Sequence, residues 1–264
     1  MHDFLSEERQ AGWSGEAAEV GRLAWTALTE LAARGSQSRA AQRPLLKRLI
    51  DSAASGDRTE FDHVVGELIR ARISPRAIVD SYVPDAARQL GEDWVSDRRS
   101  FADVTIGCAA LQSLVRSMSA DCPGVAPSDA VADLLLVVPM GEDHTLGAVV
   151  AASWLRRGGA SVTLLLQPTP ADLCKIAAVG GFDAVMLSWA NAEGLESVAA
   201  IVKQVRAAVT RPTLIAIGGS VIGRVGAIET ATGSDLATND LQLMLSRVIG
   251  TRTASAQVMP SRWS

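Results

Sequence analysis

Side chains able to hold a metal by themselves are scarce in this chain. It has three histidines, His2, His63 and His144, and three cysteines, Cys108, Cys122 and Cys174, widely spaced and with no CxxC pair. That scarcity excludes a multi-histidine centre, a zinc ribbon and a disulfide framework. A positive field is missing too. With 25 basic against 29 acidic residues and a net charge of −4, the surface as a whole does not attract phosphate backbones, and only a local basic patch would contact DNA. Apolar runs such as residues 131–138 fall far short of the roughly 20 residues that span a bilayer. The opening Met1 to Arg9 stretch lacks a basic-then-apolar signal pattern. A cytoplasmic protein without membrane contact is expected.

What is present is an ordinary globular composition, 48% apolar and 20% charged over 264 residues, enough for one large domain or two ordinary ones. The first half reads as helix after helix. Apolar residues recur at three and four positions over 15–33, and again from Pro44 to Ala54 on a face of Leu45, Leu46, Leu49 and Ile50. Asp57 or Thr59 caps a third helix, and Ser74-Pro75 starts a fourth that Pro84 should kink. A fifth helix runs from Phe101 to Met118. These elements predict a helical bundle over residues 15–120.

A Pro/Gly/Ser-rich linker follows, and the pattern then changes. Strands at 131–138, 161–166, 184–188, 213–217 and, weakly, 235–237 alternate with helical segments. That alternation predicts a flavodoxin-like, Rossmann-type parallel sheet of five strands with flanking helices over residues 130–250, in the order 2-1-3-4-5. Ligands in such sheets bind beyond the carboxyl ends of the strands. The loop after the first strand carries Glu142, Asp143, His144, Thr145 and Gly147, the third strand ends at Ser188, and the fourth runs into Gly218-Gly219. Glu142 or Asp143 can accept the second ring N–H of His144, as metal-bound imidazoles require, and Ser188 can extend that relay. The glycines leave room for a group that approaches the backbone.

Glu142 with His144-Thr145-Leu146-Gly147 resembles the cobalamin-binding pattern Asp-x-His-x-x-Gly. Ser188-Trp189-Ala190 is similar to that family's Ser-x-Leu element, and Gly218-Gly219 to its Gly-Gly element. Two positions depart from the pattern, Glu142 for aspartate and Ala190 for leucine. The resemblance implies that His144 is the lower ligand of cobalt, that Glu142 and Ser188 support it, and that Gly147, Gly218 and Gly219 line a groove for the nucleotide tail. Residues 15–120 resemble the helical cap of corrinoid proteins, with Gly91-Glu92-Asp93-Trp94 placing Trp94 over the corrin and Tyr82, Val83 and Leu90 on the same wall.

Cobalamin photoreceptors carry a Glu-His pair after nine residues that follow that tryptophan, at the places where this chain has Val104 and Thr105. No helix-turn-helix module precedes the bundle. The architecture is therefore most similar to the AerR/PpaA antirepressors of photosynthesis genes. That resemblance implies a non-enzymatic, light-responsive regulator holding hydroxocobalamin, adenosylcobalamin or methylcobalamin and contacting a PpsR/CrtJ-type repressor. The alternatives are a corrinoid carrier of a methyltransferase system and a haem-binding redox sensor. A phosphate or receiver site is disfavoured, because the strand ends lack the acidic cluster and lysine that phosphoryl chemistry uses with Mg²⁺.

Overall fold

The computed structural model describes residues 43–119 and 128–257. The helix expected over 15–33, both chain ends, Cys122 and most of the linker lie outside the described residues. Helices come first: α1 (43–55), α2 (Arg58–Arg70), α3, and α4 (Phe101–Ser119). Their starts are written locally. Asp57 accepts the amides of Thr59 and Glu60 ahead of α2, and Ser74 accepts that of Ala77 at the head of α3. Ser100 and Asp103 exchange side-chain-to-amide bonds before α4, a reciprocal capping box.

Helix α3 is composite: Pro75–Ala77, a π-helical stretch Ile78–Tyr82, and Val83–Val95. The kink expected at Pro84 is absorbed there. Pro84 has no N–H to offer the carbonyl of Asp80, and the Val83 amide just before it reaches back five residues to Ile78. The ladder widens by one residue around the proline, and the helix continues. Phe61, Val64, Leu68, Val79, Leu90 and Leu111 fill the centre of the bundle.

Five parallel strands follow: β1 (Asp133–Val138), β2 (Ser161–Leu166), β3 (Ala184–Ser188), β4 (Leu214–Gly218) and β5 (Leu236–Ala237), in the order β2-β1-β3-β4-β5. The helices between and after them are α5 (Leu146–Arg157), α6 (Pro170–Gly180), α7 (Leu195–Ala208), α8 (Ile228–Thr232) and α9 (Leu241–Gln257). After Asp133, strand β1 is apolar because it is covered on both sides. Leu135 and Val137 pack in one layer, and Leu134, Leu136 and Val138 in the other. Helix α8 has no counterpart in the sequence pattern. Its five residues, bracketed by left-handed Ala227 and Gly233, are too short to show a helical period.

The bundle docks on α5, whose Leu146 and Val149 belong to the bundle's own core. A polar seam fixes the register. Gln112 Nε2 donates to Thr145 Oγ1 at 2.6 Å, the hydroxyls of Ser119 and Ser153 lie 2.6 Å apart, and Arg157 pairs with Asp80 while donating to Ser153. Residue 112 sits at 145 and residue 119 at 153, so α4 runs parallel to α5. The part of α4 before Gln112 therefore projects roughly 16 Å past the start of α5, at 1.5 Å per residue. It overhangs the carboxyl edge of the sheet, and the α3–α4 turn forms the tip.

Asp80 and Arg157 are each only 20% exposed. A double-mutant cycle of Asp80→Asn and Arg157→Met should show a coupling of about 1 kcal/mol in chemical denaturation, smaller at 1 M salt.

Candidate functional site

The site grows from the end of β1. Pro139 stops the strand, its carbonyl accepts the amide of Glu142 at 3.1 Å, and Gly141 takes the left-handed φ of 86° that the turn requires. The turn tucks Glu142 inward, leaving it 3% exposed. Its carboxylate then collects N–H groups. Oε1 accepts the backbone amide of His144 at 2.8 Å and His144 Nδ1 at 2.6 Å, and Oε2 accepts the amide of Ala190 at 2.7 Å. A proton on Nδ1 follows from this network. Nε2 is left with its lone pair outward, on a side chain 78% exposed and without a partner for that atom among the described residues.

Two opposed effects act on Glu142. Burial raises its pKa, but the amides of His144 and Ala190 together with the imidazole outweigh burial and hold it below the ordinary glutamate value of 4.5. The group is an ionised acceptor, which makes the imidazole more basic at Nε2.

The neighbours brace this loop. Gln167, just past β2, donates to Asp143 Oδ1 at 3.0 Å and to the carbonyl of Glu142 at 3.2 Å. Asp143 thus faces Gln167, and the acceptor for the imidazole is Glu142. Thr145 spends its hydroxyl on Gln112 of the cap and leaves the start of α5 without a side-chain cap. Gly147 is exposed, and a Cβ there would meet nothing within 4 Å.

Ser188 stands at the end of β3 beside Gly218, but its hydroxyl has no partner among the described residues. The relay expected through Ser188 ends instead on the amide of Ala190, two residues further on. The glycine pair also differs from expectation. A Cβ on Gly219, at φ 106°, would lie 2.3 Å from the carbonyl oxygen of Trp189, and one on Gly218 would lie 3.2 Å from that of Thr238. The protein's own backbone requires glycine at 219 and leaves only a tight fit for a Cβ at 218. Asn239 completes this edge, accepting the Gly219 amide at 2.7 Å and donating to its carbonyl at 3.0 Å.

On the overhang, Trp94 is 49% exposed and meets Phe101 edge-on, with ring centroids 6.2 Å apart. Val104 packs partly against the bundle core, and Thr105 bonds back to the Phe101 carbonyl at 2.8 Å. Tyr82, Val83 and Leu90, expected on the same wall, are instead buried in the bundle core, because the inward stripe of α3 passes through them. Arg98 and Arg99 are held by Asp93, and Arg99 also reaches Asp51. Gln112, Gln167 and Asn239 escape sequence reading, since lone amides on helices and loops carry no motif.

Among the described residues no group of three or more His, Cys, Asp or Glu side chains converges on one point. A bare cation therefore finds no cage there. A metal that brings its own equatorial ligands needs just one imidazole with a fixed tautomer, and His144 supplies it. His144 and its carboxylate, with open space over Gly147, fit a metal macrocycle in this position.

Comparison with known proteins agrees. The model of the B12 binding domain matches residues 45–117, the helical cap. A protein of Rhodobacter capsulatus, described as an uncharacterized 20.5 kDa protein in the bchF-crtJ intergenic region, is 37% identical over 190 residues, covering 70% of this chain and 97% of that protein. The chain belongs to this B12-binding family. Its fold is that of the Methanosarcina barkeri monomethylamine corrinoid protein, with a TM-score of 0.64 at 10% identity over 80% of this chain and 99% of that one. Among the described residues no helix is long and apolar enough to cross a membrane.

Two outcomes test this edge of the sheet. Gly219→Ala should destabilise the protein by about 3 kcal/mol in denaturant titration, since backbone blocks the added carbon. Glu142 has a folded pKa below its unfolded one, so its contribution is full above pH about 4.5 and is lost as pH falls through the folded value. Denaturation midpoints measured from pH 7 to pH 3 should fall more steeply for the wild type than for Glu142→Gln.

Proposed function

We propose that this B12-binding protein is a cobalamin-dependent regulator in which His144 Nε2 is the lower ligand of cobalt. One observation carries the reading: Glu142 holds Nδ1 at 2.6 Å and leaves Nε2 exposed. When bound, a corrinoid would supply a cobalt centre capable of ligand exchange. The chain's own part is to orient the imidazole, keep it basic through the buried carboxylate, and present Trp94 and Phe101 on the overhang above. Gly147, Ser188, Ala190, Gly218 and Gly219 lie along the edge where the nucleotide tail would run, and Val104 and Thr105 offer no carboxylate or imidazole as an upper ligand.

We further propose that the protein acts as a non-enzymatic, light-responsive antirepressor in the cytoplasm, touching a PpsR/CrtJ-type repressor of photosynthesis genes through protein contact. The support is its 37% identity to a protein from a bchF-crtJ intergenic region and a cap joined directly to the ligand loop through Gln112 and Thr145. Loss of an upper ligand in light would alter how the cap sits, and the repressor would read that change.

Titration of the purified protein with hydroxocobalamin, or with adenosylcobalamin before and after illumination, should shift the visible spectrum. His144→Ala should abolish the shift, and Glu142→Gln should weaken binding roughly 10- to 100-fold. An unchanged spectrum, or equal binding by wild type and His144→Ala, overturns the assignment. Tight haem binding in place of cobalamin, or methyl transfer to a partner enzyme, would move the protein into a different class.

A further inference from the structure

We infer that Asn239 is a positioning residue for the tail groove, a role that rests on the cobalamin reading above. Strand β5 is two residues long and pairs with β4 only at Leu236 and Ala237. The Thr238 amide adds one more bond, to the Ile217 carbonyl at 2.9 Å. Beyond that, β4 has no strand beside it on the β5 side, yet it must continue through Gly218 and Gly219 at the edge where the ligand would bind. The Asn239 side chain takes the place of the missing rung. Its planar amide accepts from Gly219 N–H at 2.7 Å and donates to Gly219 C=O at 3.0 Å. Both peptide groups of one residue are held by one side chain, which fixes φ and ψ together.

The position held is a demanding one. Gly219 sits at φ 106°, so close to Trp189 that a Cβ would overlap its carbonyl oxygen. Trp189 in turn donates to the Gly218 carbonyl at 2.9 Å and accepts from Val221 at 3.3 Å. The next residue, Ala190, gives its amide to Glu142. Asn239 is therefore the outer end of a chain that passes through the β4 and β3 loops to the carboxylate beside His144. Asp240 anchors it from the other side by capping α9, accepting the amides of Gln242 and Leu243 at 2.9 Å. Asn239 has one neighbour fixed to the sheet and the other fixed to a helix.

This placement separates two parts of ligand recognition. His144 would meet the metal, while the loops braced by Asn239 would meet the nucleotide tail. Cobinamide, which has the corrin and cobalt but no nucleotide tail, distinguishes them. Asn239→Ala should weaken hydroxocobalamin binding roughly tenfold, the loss expected for two hydrogen bonds, and leave cobinamide binding unchanged. Asn239→Asp keeps the acceptor for Gly219 N–H, loses the donor and sets a carboxylate against the carbonyl; it should show the same selective loss if the alanine variant fails to fold. In the ligand-free protein, amide hydrogen exchange at Gly219 should speed up in Asn239→Ala, which removes the acceptor of that amide. Equal loss for both corrinoids, no loss for either, or unchanged exchange at Gly219 overturns the inference alone. A wild-type protein that binds neither corrinoid removes the functional reading and this inference with it.

Discussion

The Glu142 carboxylate is the interaction on which the site depends. Buried and ionised, it needs charge-assisted N–H donors to offset its lost hydration. It finds them on both sides of the edge, the amide and ring of His144 in its own loop and the amide of Ala190 beyond β3. One side chain thus ties the β1 and β3 loops together and settles the imidazole tautomer. The extra methylene relative to aspartate reaches the neighbouring loop's backbone. A backbone amide has no proton to relay, so the carboxylate here acts as a clamp.

The cap is joined to that clamp by short steps. Thr145, next to His144, is bonded to Gln112, and Leu146 is shared with the bundle core. Further along α5, Ser153 and Arg157 bind Ser119 and Asp80. Asp80 belongs to the π-helical stretch that accommodates Pro84. The seam runs along the whole length of α5, and the overhang of Trp94 and Phe101 follows from the register it sets. Two packed layers joined by an apolar face and a few specific polar pairs have a defined resting arrangement, as a structure that signals by a shift of the cap requires.

Much of the fold is legible in the residues. The apolar run of β1 from Leu134 to Val138, the caps Asp57 and Ser74, and the alternation after the linker each reflect local chemistry, and local chemistry survives in a linear pattern. The helix start at Leu146 and strands β2 and β3 fall where the periodicity places them. Less legible are features that depend on neighbours far along the chain. A helix of five residues has no period to read. The inward burial of Tyr82, Val83 and Leu90 depends on which stripe of α3 the bundle covers. In the site, His144 and Glu142 stand out as a motif, whereas the expected relay through Ser188 gives way to an amide that any residue but proline would offer at position 190.

The sequence alone determines the helical-then-α/β plan, the five strands and the loop that carries the imidazole, because hydrophobic period, caps and turn residues act over a few positions. Tertiary structure decides the rest. Only the packed sheet brings the Ala190 amide within 2.7 Å of Glu142, presses Trp189 against Gly219 and places Asn239 across from it. These contacts join residues tens of positions apart, and their energies depend on distances of a few tenths of an ångström that no spacing along the chain encodes.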